Sequence, residues 1–190
     1  MNAAELLRRV LAALDHAGIP HMLTGSFAAS FHGAPRATQD LDLVIAPTAP
    51  QLGALAQQLP PGEFYFPLEA AQEALRNETM FNVIDLQGGW KVDCIIRKSR
   101  MFSRTEFDRR QAAQFLGLRL AVATVEDVVI SKLEWAKRGG SQRQLEDVAQ
   151  LVRRRGSELD TGYLMGWIEA LGLGLEWEAA KRLAVQTPDE

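Results

Sequence analysis

Apolar residues recur at Leu6, Leu7, Val10, Leu11 and Leu14, a helical spacing that stops at Gly18-Ile19-Pro20. "HMLTG" then reads as a short strand closed by Gly25, and "SFAASFHG" as a short helix N-capped by Ser26 and ended by Gly33 and Pro35. "DLDLVIA" is the next strand, and residues 48–59 form a helix with Leu52, Leu55, Ala56 and Leu59 on one face. "MFNVIDLQGGWKVDCIIR" predicts a β-hairpin turning at Gly88-Gly89, and "QAAQFLGLRLAVAT" supplies one or two more strands around Gly117. From Thr124 the period changes: Thr124 and Asp127 make a capping-box-like start, and helices are predicted at roughly 125–137, 142–154, 161–171 and 175–185. The layout is α+β: residues 1–123 form a mixed β-sheet flanked by helices, and residues 124–190 form a small helical region packed on it.

Composition narrows the class. A formal charge of −3 argues against a protein that coats nucleic acid, although a local basic patch remains open. Cys94 is the only cysteine, so neither a disulfide framework nor a Cys-based zinc site is available. The amphipathic N-terminus makes a poor signal peptide, and no apolar run approaches the roughly 20 residues that span a bilayer. The expectation is a cytoplasmic protein without a membrane partner.

Candidate chemistry centres on Asp40 and Asp42. Strand alternation sends both side chains to one face and Leu41, Leu43 and Ile45 to the other. Two neighbouring carboxylates repel unless a cation lies between them, and all-oxygen ligation suits a hard cation such as Mg²⁺. Alone, the pair reads first as a cap at the strand's start (Asp40) and a solvated edge charge (Asp42). With Gly88-Gly89 as the loop, Ile84 faces Asp93 and Asp85 faces Val92, so the two hairpin acids point to opposite faces. Asp93, flanked by Val92 and Cys94 in an apolar run, is the better third acid; Asp85 lies nearer the turn and solvent. Gly25-Ser26 adds a glycine and a hydroxyl at a helix start, where main-chain N–H groups and the helix dipole can receive phosphate. By itself it is an ordinary turn and cap. Together these features describe metal-assisted phosphoryl or nucleotidyl transfer.

Those residues resemble the nucleotidyltransferase superfamily related to DNA polymerase beta. Its pattern of an apolar residue, Gly-[Gly/Ser], a spacer, acid-apolar-acid and a later third acid is met by Thr24-Gly25-Ser26, Asp40-Leu41-Asp42-Leu43 and Val92-Asp93-Cys94. Thr24 departs mildly from it, and the thirteen-residue spacer is long. "HGAPRATQDLDLVI" looks most like AbiEii-type and other stand-alone bacterial branches. The resemblance covers roughly residues 20–150. It implies that Gly25 and Ser26 hold the β- and γ-phosphates of an NTP, and that Asp40, Asp42 and Asp93 ligate Mg²⁺ or Mn²⁺. Asp93 would also help deprotonate the attacking hydroxyl, and Arg36 and Thr38 would contact phosphates; Arg36 is equally readable as a surface charge.

Lys132 falls within the apolar stripe of Val125, Val128, Val129, Leu133 and Ala136. Such a lysine can snorkel to the rim, or reach the triphosphate with Asp147 orienting it, as the AbiEii resemblance implies. The Arg/Lys-rich "RKSRMFSRTEFDRR" could steer a polyanion or simply be a solvated face. His16, His21 and His32 lack ligand spacing.

The leading expectation is a metal-dependent nucleotidyltransferase that moves an NMP group from an NTP to a hydroxyl on RNA (tRNA) or protein, possible toxin–antitoxin partners included. The alternatives are a catalytically idle nucleotide-binding or protein-interaction module of the same fold and, more weakly, a phosphate-ester hydrolase.

Overall fold

A computed structural model describes residues 2–186. Helix α1 (Ala3–His16) is capped by Asn2, whose side chain accepts from the Glu5 N–H, and buries Leu6, Leu7, Val10, Leu11 and Leu14. The chain then enters β1 (His21–Thr24), α2 (Gly25–Phe31) and β2 (Asp40–Ile45). Because α2 starts at Gly25, Ser26 lies inside its first turn instead of at the expected N-cap. Helix α3 (Ala49–Gln58) opens with a Thr48/Gln51 capping box and buries Leu52 and Leu55.

Two elements follow that the apolar pattern read above did not include: β3 (Phe64–Tyr65) and α4 (Leu68–Asn77), the latter with Leu68, Ala71, Ala74 and Leu75 at helical spacing. Then come β4 (Met80–Asp85), β5 (Lys91–Ile96), α5 (Met101–Asp108), β6 (Gln111–Phe115) and β7 (Leu118–Val122). The seven strands form one mixed sheet in the order β3-β4-β5-β2-β1-β7-β6. The β2–β5 and β1–β7 pairs are parallel and the others antiparallel.

The β4–β5 hairpin corrects the expected turn. Val83 pairs with Val92 and Ile84 with Lys91, so Asn82, not Ile84, stands opposite Asp93. Only Gly89 of the glycine pair has a positive φ, whereas a primed turn centred on Gly88-Gly89 needs one at Gly88, alone (type II′) or with Gly89 (type I′). The loop is held instead by Asp85, whose carboxylate accepts from the N–H groups of Gln87 (3.1 Å) and Gly88 (2.9 Å). Asp85 is thus fully buried, contrary to its expected nearness to solvent. The tight turn occurs one hairpin later, at Leu116 (φ 51°) and Gly117 (φ 77°), between the paired Phe115 and Leu118.

The helical part comprises α6 (Val125–Gly139), α7 (Gln142–Arg155), a 3₁₀ turn (Gly156–Glu158), α8 (Thr161–Ala170) and α9 (Gly174–Gln186). At the start of α6 the Thr124 hydroxyl accepts from the Asp127 N–H and donates to its carboxylate at 2.7 Å. The Tyr163 hydroxyl donates to the other Asp127 oxygen at 2.6 Å, so this buried acid is structural. Among the described residues no helix is long and apolar enough to cross a membrane.

The chain divides into two compact units. One contains the segment through Ser26 and Ala37–Ala123, including the whole sheet. The other contains Phe27–Arg36 and the chain from Thr124 onward.

Candidate active site

In the sheet unit, strand alternation and register assemble the acids. Asp40 and Asp42 share a face of β2, and the parallel register sets Asp40 beside Lys91 and Asp42 beside Asp93 of β5. Residues 91 and 93 share that face by the same alternation, so all three acids point the same way. On the far side of β5, Asn82 pairs with Asp93 and its amide donates to Asp93 Oδ1.

The end of β1 closes on the same place. Thr24 pairs with Asp42, and Gly25 turns with φ +63°. A side chain at Gly25 would begin 2.0 Å from Asp42 Oδ2. Only a residue without Cβ allows the main chain to pass so close to this carboxylate. Ser26 follows, buried. The Thr38 hydroxyl engages the Asp40 main chain just ahead of β2, 3.3 Å from its nitrogen.

The acids are graded from water inward: the Asp40 side chain is 55% exposed and that of Asp93 12%. Between them lies the Lys91 ammonium, 3.5 Å from Asp40 Oδ1 and 3.1 Å from Asp93 Oδ1. Desolvation pulls the Lys91 pKa down, but its hydrogen bond to Asp93 and the charges of Asp93 and Asp40 outweigh that, and the net shift is upward. Burial, with a further contribution from the Asp93 charge, pushes the neighbouring Cys94 thiol well above the ordinary range.

The donor chemistry, carboxylate oxygens gathered on one face and already sharing a cation, fits a hard metal ion. Among the described residues, however, no three His, Cys, Asp or Glu side chains converge closely enough to hold one; Asp40 and Asp93 share the ammonium instead.

A second cluster lies in the helical unit. Lys132 is buried on α6 and donates to Asp147 Oδ2 of α7 at 2.6 Å and to Gln144 Oε1 at 3.1 Å. Arg36 Nε donates to the same Asp147 oxygen at 3.1 Å. One carboxylate therefore faces two cations. The residues singled out in the sequence fall into two groups: Gly25, Ser26, Thr38, Asp40, Asp42 and Asp93 in the sheet unit, and Arg36, Lys132 and Asp147 in the helical unit.

Lys91, Asn82 and Gln144 were missed by sequence reasoning. Lys91 was within reach, since a residue two positions before Asp93 on a strand must share its face. Asn82 was not, because its place depends on the hairpin register.

No protein-family model matches the sequence, and no curated protein does. Solved structures do. The antibiotic-resistance factor ANT(2'')-Ia is 16% identical over 92% of this chain and 95% of its own, with a TM-score of 0.59. An antigenic nucleotidyltransferase-like protein from Paracoccidioides brasiliensis is 18% identical over 94% and 92%, with a TM-score of 0.55. The lincosamide antibiotic adenylyltransferase LnuA, in a lincomycin-bound structure, is 10% identical over 80% and 96%, with a TM-score of 0.50. At such identities the likeness is one of architecture, and in architecture this chain has the nucleotidyltransferase fold.

Proposed function

We propose that the protein is a metal-dependent nucleotidyltransferase that moves an NMP group from an NTP to an acceptor hydroxyl. The observation that carries this reading is Asp42 beside Asp93 in the β2–β5 register, with Asp40 on the same face and Gly25 against Asp42. Asp40, Asp42 and Asp93 are the residues that would hold Mg²⁺ or Mn²⁺, which would offset phosphate charge and make the acceptor hydroxyl more acidic. Asp93, oriented by Asn82, takes up the hydroxyl proton. The acceptor oxygen bonds to the α-phosphorus, the bond to the bridging oxygen breaks, and pyrophosphate leaves with that electron pair. Gly25 and Ser26 are assigned to the β- and γ-phosphates, with Thr38 ahead of them. Arg36 and Lys132, both donating to Asp147, are assigned to phosphate contact.

The AbiEii resemblance favours RNA, tRNA in particular, or protein as the acceptor, and a toxin–antitoxin role. A small hydroxylated molecule is the second reading, because the resistance factor and the lincosamide adenylyltransferase match most of both chains. The test incubates the protein with each labelled NTP, Mg²⁺ or Mn²⁺, and a tRNA pool, a cell lysate or lincomycin. Label should move to one acceptor class with wild type and not with Asp42→Asn. No Asp42-dependent transfer to any acceptor leaves the idle binding module as the better account. Growth arrest on expression supports a toxin, and rescue from a neighbouring toxin an antitoxin.

A further inference from the structure

We propose that Lys91 is a tethered counter-ion of the carboxylate site, which a divalent metal must displace before Asp40 and Asp93 can ligate it. The inference rests on the nucleotidyltransferase reading and adds a positioning residue to that site. Two observations carry it. The ammonium is within ion-pair distance of Asp40 and Asp93 at once, at 3.5 and 3.1 Å. Its place is also fixed by the backbone: Lys91 is the register partner of Asp40 and lies two residues from Asp93, so alternation and pairing aim it at both acids.

The physical consequence is competition. Without a cation, Asp42 and Asp93 in adjacent register, with Asp40 beside them, would repel across the centre of the sheet. Lys91 offsets that charge and holds Asp40 and Asp93 in place. A divalent ion bound by the same oxygens cannot tolerate the ammonium among them, since at this separation it repels the ammonium about twice as strongly as one ion pair attracts. The lysine's flexible four-carbon stem lets the ammonium leave without moving β5. Metal uptake is then an exchange, weaker than the three acids alone would give.

The experiment titrates Mn²⁺ into full-length wild type, Lys91→Met and Lys91→Arg by calorimetry, and records thermal unfolding with and without saturating Mn²⁺. Lys91→Met should bind Mn²⁺ about tenfold more tightly or better. It should unfold below wild type without the ion and at or above wild type with it. Lys91→Arg, which keeps the charge, should stay close to wild type in both. A merely structural lysine would instead lower the unfolding temperature equally in both conditions and leave Mn²⁺ affinity unchanged. That result overturns the inference while the nucleotidyltransferase reading stands. Absence of Mn²⁺ binding in all three folded proteins overturns both. If Lys91→Met does not fold, Lys91→Gln, which keeps a donor and loses the charge, is held to the same criteria.

Discussion

Gly25 and Asp42 are in such close approach that a methyl group on the first would lie 2.0 Å from Oδ2, 2.5 Å from Cγ and 2.8 Å from Cβ of the second. Gly25→Ala therefore meets two penalties. The left-handed backbone costs an L-residue about 1–2 kcal/mol, and the clash adds to it because Asp42 is blocked through its Cβ as well as its tip. Chemical denaturation should show a loss above the backbone cost alone. In a Gly25→Ala background, Asp42→Gly should recover the clash and leave the backbone cost. A Gly25→Ala protein as stable as wild type would mean that the main chain does not pass Asp42 this closely.

Asp85 and Asp93 lie on one hairpin and should behave oppositely. Asp85 is fully buried and holds the turn through Gln87 and Gly88, so Asp85→Ala should cost about 1–3 kcal/mol. Below its unfolding temperature it should retain transfer activity. Asp93→Asn, which loses the Lys91 ion pair but also the repulsion from Asp42, should cost less than Asp85→Ala and abolish transfer. Equal activity losses in the two folded variants would dissolve this distinction.

Asp147 is the hub of the helical cluster. Asp147→Ala leaves the buried Lys132 and the half-buried Arg36 without their common carboxylate, a change expected to cost about 3–5 kcal/mol. Lys132→Met should cost less, because Asp147 keeps Arg36. Urea unfolding of both variants decides it: a larger loss for Lys132→Met would place the structural weight on the lysine.

The raised pKa of Lys91 has a definite sign in stability. A lysine that gains partners on folding contributes stability fully present below its ordinary value of 10.5 and lost as pH rises through the higher folded value. The gap in metal-free stability between wild type and Lys91→Met should be constant from neutrality to 10.5 and narrow above it. Denaturant midpoints across that range provide the measurement. A gap that stays unchanged well above 10.5 would assign it to another group.

Cys94 should resist thiol reagents in the native protein. Burial, and then the charge of Asp93, hold its thiol above the ordinary range, and only the thiolate reacts. Iodoacetamide at mildly alkaline pH should modify it only after denaturation. Asp93→Asn should leave it protected, since burial is the larger cause; labelling of that folded variant would reverse their order.

The sequence by itself determined what depends on neighbouring residues. Helical spacing marked α1, α3 and the helices after Thr124, and alternation placed Asp40 and Asp42 on one face. It also separated Asp85 from Asp93 correctly, although the assumed hairpin register was wrong: the true pairing differs by an even number of positions, which leaves every side chain on the same face. Strand β3 was illegible because two residues carry no period, whereas α4 does repeat Leu68, Ala71, Ala74 and Leu75 at helical spacing, a stripe made faint by its two alanines.

Only the tertiary structure decided which strands adjoin. The parallel β2–β5 pairing brings Asp42 beside Asp93 and Asp40 beside Lys91 across half a hundred residues of chain, and no local pattern encodes that neighbour. The same holds for Arg36 and Lys132 meeting on one oxygen of Asp147. Periodicity is a property of consecutive residues, whereas register and charge pairing are settled by hydrogen bonds and burial between distant segments. The acids and the cations were therefore readable from the chain, and which cation faces which acid was not.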